Sequence, residues 1–278
     1  MGKKIANALK YVFLGTLSFV SIFPFYWMLM AATNKSIDVT RGVLIPGSYF
    51  FENLKSVLAS DLLYMNSYGN SVFIAVTTTI LAMIVSSAAG YAFVVYRSKT
   101  RDRIFDFIFA SMMVPFAALM VPLFKLFSNF NKLGLTAIGL NSPGAVIITG
   151  IATAFLIFFF KQNTATFPKD LIEAARIDGL GEIKIFLQIY MPTMKSTYAA
   201  AIVVTFMNVW NSYLWPLIAL QSGSKRTLPL ILSAMGTSYT PDYGMMMCAV
   251  VLATIPTAAI FFLMQKQFVA GMTGAVKG

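Results

Sequence analysis

The chain has 278 residues, of which 58% are hydrophobic and only 11% charged, and its mean hydropathy is +0.75. A soluble domain of that length needs far more charge to cover its surface, so this composition excludes an ordinary soluble protein. The absence of histidine rules out a His-based catalytic triad and leaves a zinc or haem site without its usual ligands, and the single cysteine, Cys248, rules out an internal disulfide.

A helix needs about 20 mostly apolar residues to cross about 30 Å of hydrocarbon. Six charge-free windows of sufficient length occur: Tyr11–Asn34, Leu62–Tyr96, Phe107–Phe124, Leu133–Phe160, Ser196–Ser224 and Tyr243–Gln265. None alternates as a transmembrane β-strand would, so the expected fold class is all-α, a polytopic membrane protein with six transmembrane helices. The first helix follows a short basic tail. Its apolar run is too long for a signal-peptide core and no small-x-small cleavage site follows, so it is expected to be retained. Residues 35–61 form a long loop with a turn at Pro46-Gly47. The second helix, expected from about Asn70 to Tyr96, carries the small residues Ser86, Ser87, Ala88, Ala89 and Gly90, which permit close approach of another helix. The basic stretch Arg97–Arg103 is a tight loop. Pro115 and Pro122 are expected to kink the third helix. A loop over roughly 125–143 leads to the fourth, ending near Phe160.

The pattern then changes. Residues 161–196 hold five basic and four acidic side chains, more than a simple turn needs. Pro168 and Asp170 mark a helix start, with Leu171, Ala174 and Ala175 on one face. Asp178-Gly179 marks its stop. Ile183, Phe186, Leu187 and Tyr190 give a second apolar stripe, ended by Pro192. The segment is thus an elbow of two short helices. An amphipathic pair lying on lipid headgroups would be rich in Lys and Arg on its polar face. Here Asp170, Glu173, Asp178 and Glu182 oppose Lys169, Arg176 and Lys184, a mixture better suited to a protein partner. The fifth helix follows. Thr227–Pro241, too short to span and holding two prolines, reads as a loop or re-entrant piece, and the sixth helix ends the chain.

Basic residues set the orientation. Of the 21, seven (Lys35, Arg41, Lys55, Lys125, Lys132, Lys225 and Arg226) fall in one set of loops and the other 14 in the set that includes both termini. Both chain ends are therefore expected in the cytoplasm of a multi-pass protein of the bacterial cytoplasmic membrane. The net charge of +11 is mainly this topology signal, and no nucleic-acid partner is implied, because no soluble domain carries a basic patch.

Glu173-Ala174-Ala175, Asp178-Gly179, Ile189 and Pro192 resemble the EAA signature of ABC importer permeases. Trp210-Asn211, Leu214-Trp215-Pro216-Leu217, Arg226-Thr227-Leu228-Pro229 and the tail from Gln265 to Val276-Lys277-Gly278 resemble the carbohydrate-uptake permeases of the maltose-transporter type, in its smaller subunit. The resemblance covers nearly the whole chain. It departs at Met191, Ser196, Ser212 (in place of an aspartate) and a slightly shorter tail, of which the last two point to a subgroup other than maltose, for multiple sugars or raffinose.

The resemblance implies a type I importer permease fold, a single transmembrane permease domain over residues 1–278 with a coupling elbow at about 161–196. It implies that Glu173, Ala174, Ala175, Asp178, Gly179 and Pro192 couple to an ATPase. The implied partners are a second homologous permease in a heterodimer, two cytoplasmic ABC ATPases, an extracellular sugar-binding protein and the lipid bilayer. The chain has no Gly-x-x-x-x-Gly-Lys-Ser/Thr loop, so it is expected to bind no cofactor; ATP and magnesium would belong to the ATPase, and this subunit is not an enzyme.

Asn208, Asn211, Tyr213 and Trp215, with Trp27 and Trp210, are candidates for a sugar path. Amides suit hydroxyls and aromatic faces suit pyranose rings. Interfacial belts of Trp and Tyr and helix-bridging Asn are the bland alternatives for each. Two other functions remain: an ion-coupled secondary transporter and a structural membrane subunit. The first commonly buries ionisable groups in its spans, and the six windows hold none.

Overall fold

A computed structural model describes residues 2–274. The last part of the tail that carries the resemblance, Val276-Lys277-Gly278, lies outside the described residues. Among the described residues every regular element is a helix. These are α1 (Gly2–Ala32), α2 (Ser36–Thr40), α3 (Phe50–Leu58), α4 (Tyr64–Val95), α5 (Lys99–Ala110), α6 (Phe116–Lys132), α7 (Pro143–Ile151) and α8 (Ala154–Thr164). There follow α9 (Asp170–Ile177), α10 (Glu182–Ile185), α11 (Met191–Thr193), α12 (Lys195–Trp210), α13 (Leu214–Ala219), α14 (Leu228–Gly236) and α15 (Tyr243–Gly274).

Four stretches are long and apolar enough to cross a membrane: Leu9–Ala32, Tyr64–Val95, Pro143–Thr164 and Tyr243–Lys266. A fifth is possible only if α5 and α6 count as one broken span. They are not a kinked helix, as Pro115 led us to expect, but two helices bent by 106°. Val114 precedes the proline and is driven to extended ψ 116°, which stops the helix outright. Pro122 lies inside α6 without ending it. The expected fifth span is also interrupted. α12 has 16 residues, about 24 Å at 1.5 Å per residue, and it ends where the Asn211 amide donates to the Met207 carbonyl at 2.9 Å. α4 begins at Tyr64, earlier than expected.

The chain divides into two compact units. Unit 1 comprises residues through Met65 with Ile231–Ile255. Within it the long loop is structured by α2 and α3. Buried Asn53 donates to the carbonyls of Ala32 (2.9 Å) and Asn34 (3.0 Å), and Gly47 N donates to Thr33 Oγ1 at 2.9 Å. Tyr64 OH donates to Ala249 O at 2.7 Å, and Cys248 is buried.

Unit 2 comprises residues 66–230 with α15 from Pro256 onward. Here the small-residue stretch of α4 does bring another helix close. A Cβ on Gly90 would lie 2.6 Å from Phe160 Cβ and 2.8 Å from Lys161 N, so α4 and α8 touch backbone to backbone. One core cluster, around Trp215, Phe127, Ile74 and Val146, ties α13 to α6, α4 and α7. The other, around Tyr91, Phe160, Ile185, Tyr190 and Tyr198, ties α4, α8 and α12 to the elbow.

Candidate functional site

The elbow forms where its residues dictate. Helix α9 starts at Asp170 after Pro168 and ends at Asp178. Gly179 then takes φ +79°, the left-handed region that a Cβ disfavours. Its N–H donates to Arg176 O at 3.1 Å and that of Leu180 to Ala175 O at 3.0 Å. That pair of bonds is a complete Schellman cap, and Leu180 packs on the cluster containing Ile172 and Ala175. The inward face is Ile172 and Ala175, not Leu171, Ala174 and Ala175 as the sequence led us to expect; Leu171 and Ala174 are exposed.

The second stripe is shifted as well. Residues Phe186–Tyr190 form a π-helical segment. This widened turn leaves Ile183 (76% exposed) and Leu187 outside and buries Ile185 and Tyr190. It also removes the need for an N–H at Pro192, which therefore does not end the helix. α11 runs through it, and the break comes at Met194 (φ −89°, ψ 19°). Tyr190 anchors the elbow: it is fully buried, shares a 2.6 Å hydrogen bond with Thr164 Oγ1, and meets the ring of Tyr91 at 4.8 Å.

A polar latch closes the turn. Arg176 Nε donates to Glu182 Oε1 at 2.7 Å and its Nη2 to Glu182 Oε2 at 3.2 Å. Tyr96, just past the end of α4, donates its hydroxyl to the same carboxylate. The Arg176 bonds, and then the Tyr96 bond, hold the Glu182 carboxyl below its ordinary range. Burial, and then Glu182, push Tyr96 up to about 12, so its hydroxyl stays a donor at any physiological pH. Because Arg176 and Glu182 serve each other, the charges left for a partner are Lys169, Asp170, Glu173, Asp178 and Lys184. Glu173 lies at a small cleft with Lys169 and Arg176.

Glu173, Ala174, Asp178 and Gly179 are brought together on the exposed side of the elbow; Ala175 is buried and Pro192 lies beyond the π-helical turn. Sequence reasoning missed Ile177, which is 86% exposed. The signal was present, since Ile177 lies four residues after Glu173 and three after Ala174, on one helical face. It also missed Tyr96, because nothing in a sequence pairs residue 96 with residue 182.

The sugar-path candidates do not converge. Asn208, Asn211 and Tyr213 are exposed, whereas Trp215 is 3% exposed, donates Nε1–H to Ala145 O at 3.0 Å and packs on Phe127. Trp210 is buried against Phe206 and Tyr68. Both tryptophans are packed inside unit 2 and do not stand in an exposed belt. Trp27 is half-buried in unit 1.

Comparison with known proteins places this architecture. The chain is 45% identical over 276 residues to the lactose transport system permease protein LacG of Rhizobium radiobacter, covering 99% of this chain and 98% of that one. It is 36% identical to the arabinooligosaccharides transport system permease protein AraQ of Bacillus subtilis (strain 168), covering 96% and 94%. The fold matches a chain from the crystal structure of a bacterial ABC transporter involved in the import of the acidic polysaccharide alginate. The TM-score is 0.80 at 23% identity, covering 96% of this chain and 98% of that one. Residues 88–274 match the family described as the binding-protein-dependent transport system inner membrane component, and the chain belongs to that family.

Proposed function

We propose that this chain is the permease subunit of an ATP-driven carbohydrate importer whose elbow, residues 170–193, docks on the ATPase. The observation that carries this reading is the elbow itself. One side is locked to α4 and α8 through Tyr190, Tyr91 and the Tyr96–Glu182–Arg176 latch. The other presents Glu173, Ala174, Ile177 and Asp178 to solvent. A displacement of the exposed side must therefore move the ends of two apolar helices. An exposed isoleucine beside a carboxylate is an anchor for a cleft that supplies an apolar wall and a cation.

In this reading six spans form, with α12 and α13 completing the fifth, and both termini are cytoplasmic. The partners are a second homologous permease, two ATPases and an extracellular binding protein. The ATPase chains hold ATP and magnesium. Asn208, Asn211 and Tyr213 are the residues left to face a sugar. The relatives named for lactose and arabinooligosaccharides support a di- or oligosaccharide cargo, and raffinose lies within that class.

The test is co-purification. The complex should retain its ATPase and show sugar-stimulated ATP hydrolysis, and Glu173→Ala should lose one or both while sugar affinity of the binding protein is unchanged. Full ATPase retention and uptake by Glu173→Ala combined with Ile177→Asp would remove the elbow from this role.

A further inference from the structure

Three cations from three separate elements of unit 2 converge on one cavity of about 290 Å³. Arg97 follows α4, Lys161 lies in the last turn of α8, and Lys169 precedes α9; Asp102, Gln162 and Phe93 complete the lining used here. Arg97 lies 3.7 Å from the Asp102 carboxylate. The Lys161 ammonium sits 3.3 Å from the Phe105 ring centroid, which fixes its position while leaving its N–H groups to donate elsewhere. Among the described residues neither Lys161 nor Lys169 has a carboxylate at ion-pair distance. The lining therefore holds three cations and one carboxylate, Asp102, while Asp106 acts on Lys161 from outside it. Bringing like charges together is unfavourable unless an anion joins them.

We propose that this cavity binds a phosphate group, that of an anionic phospholipid. The walls are the last turns of α4 and α8, which close the stretches Tyr64–Val95 and Pro143–Thr164, both long and apolar enough to span a membrane, so the cavity lies at headgroup level. Beside it α5 exposes Ile104 and Phe107, an apolar surface for acyl chains that a soluble phosphate would not use. Basic pockets between spanning helices on the cytoplasmic side are suited to lipid headgroups. The proposal rests on the cytoplasmic placement of this end only for its choice of leaflet.

The test is native mass spectrometry of the complete transporter complex, stripped of lipid in detergent and titrated with dioleoyl phosphatidylglycerol, phosphatidylcholine or inorganic phosphate. Phosphatidylglycerol affinity should fall about 30-fold in Arg97→Gln combined with Lys161→Gln, since two cations are removed, and should survive in Lys161→Arg. Phosphatidylcholine binding should not differ between variants. Lys169→Gln, an exposed single change, should weaken phosphatidylglycerol several-fold even if the double variant fails to assemble. Equal phosphatidylglycerol affinity in all variants would overturn the site. Inorganic phosphate binding that the variants lose, with phosphatidylglycerol unaffected, would reassign it to a soluble anion and overturn the lipid assignment. Because lipid affinity is read separately from ATPase retention and sugar uptake, failure here leaves the importer reading intact.

Discussion

The turn at Gly179 allows a test in which strain can be separated from crowding. Its φ is +79°, yet a Cβ built there meets nothing within 4 Å. Any cost of substitution is therefore backbone strain, about 1–2 kcal/mol for an ordinary L-residue in the left-handed region and about 1–3 kcal/mol at a position held there by its surroundings. At about 1.4 kcal/mol per factor of ten, Gly179→Ala should cut the population of the correctly capped elbow roughly five- to thirty-fold relative to open forms. Gly179→Val, β-branched, should cost more. Asn tolerates this region far better, so Gly179→Asn should stay close to wild type. The assay is sugar uptake at matched membrane expression, with ATPase co-purification measured in parallel. The expected order is Gly, Asn, Ala, Val. Wild-type uptake by the Val variant, or equal loss in Asn and Val, would show that the left-handed cap does not limit coupling.

Other outcomes follow from the same geometry. Glu182→Gln should loosen the elbow and increase protease nicking within residues 177–181. The pair is solvent-exposed, so the loss is small and is read as local opening rather than global unfolding. The Glu182 carboxyl is depressed below its ordinary value of 4.5, so the latch contributes fully above that value and is lost as pH falls through the depressed one. Nicking should thus be flat from pH 8 to pH 5 in the wild type and elevated throughout in Glu182→Gln. Gly90→Ala places a Cβ 2.6 Å from Phe160 Cβ and should lower the melting temperature, at about 1–3 kcal/mol for overpacking. Gly15→Ala, where nothing lies within 4 Å, is the control. In intact cells an impermeant thiol reagent should label a cysteine introduced at exposed Ser48, beside Gly47, and miss one at Gly181, and the reverse result would overturn the orientation.

The residues alone determined that this chain lives in a membrane and is helical, because only long charge-free runs can satisfy their backbone inside hydrocarbon. They also determined where the elbow begins and turns. Pro168, Asp170 and Gly179 act through local backbone geometry, which is legible without a fold. The small residues from Ser86 to Gly90 announced a close helix contact for the same reason, although not with whom. What the tertiary structure decided are matters of register and partnership. The π-helical turn at Phe186–Tyr190 moved the buried stripe to Ile185 and Tyr190 and carried the helix past Pro192, an extra-residue effect that a 3.6-residue period does not contain. Val114 and Pro115 turned one apolar window into two helices at 106°. Trp215 passed from sugar-path candidate to packing residue once Ala145 O was found beside its indole N–H. The latch that ties the elbow to α4 joins Tyr96 to Glu182, 86 residues apart. Such a contact is set by the packing of helices around a shared core, and packing is a property of the assembled surfaces rather than of any one segment of the chain.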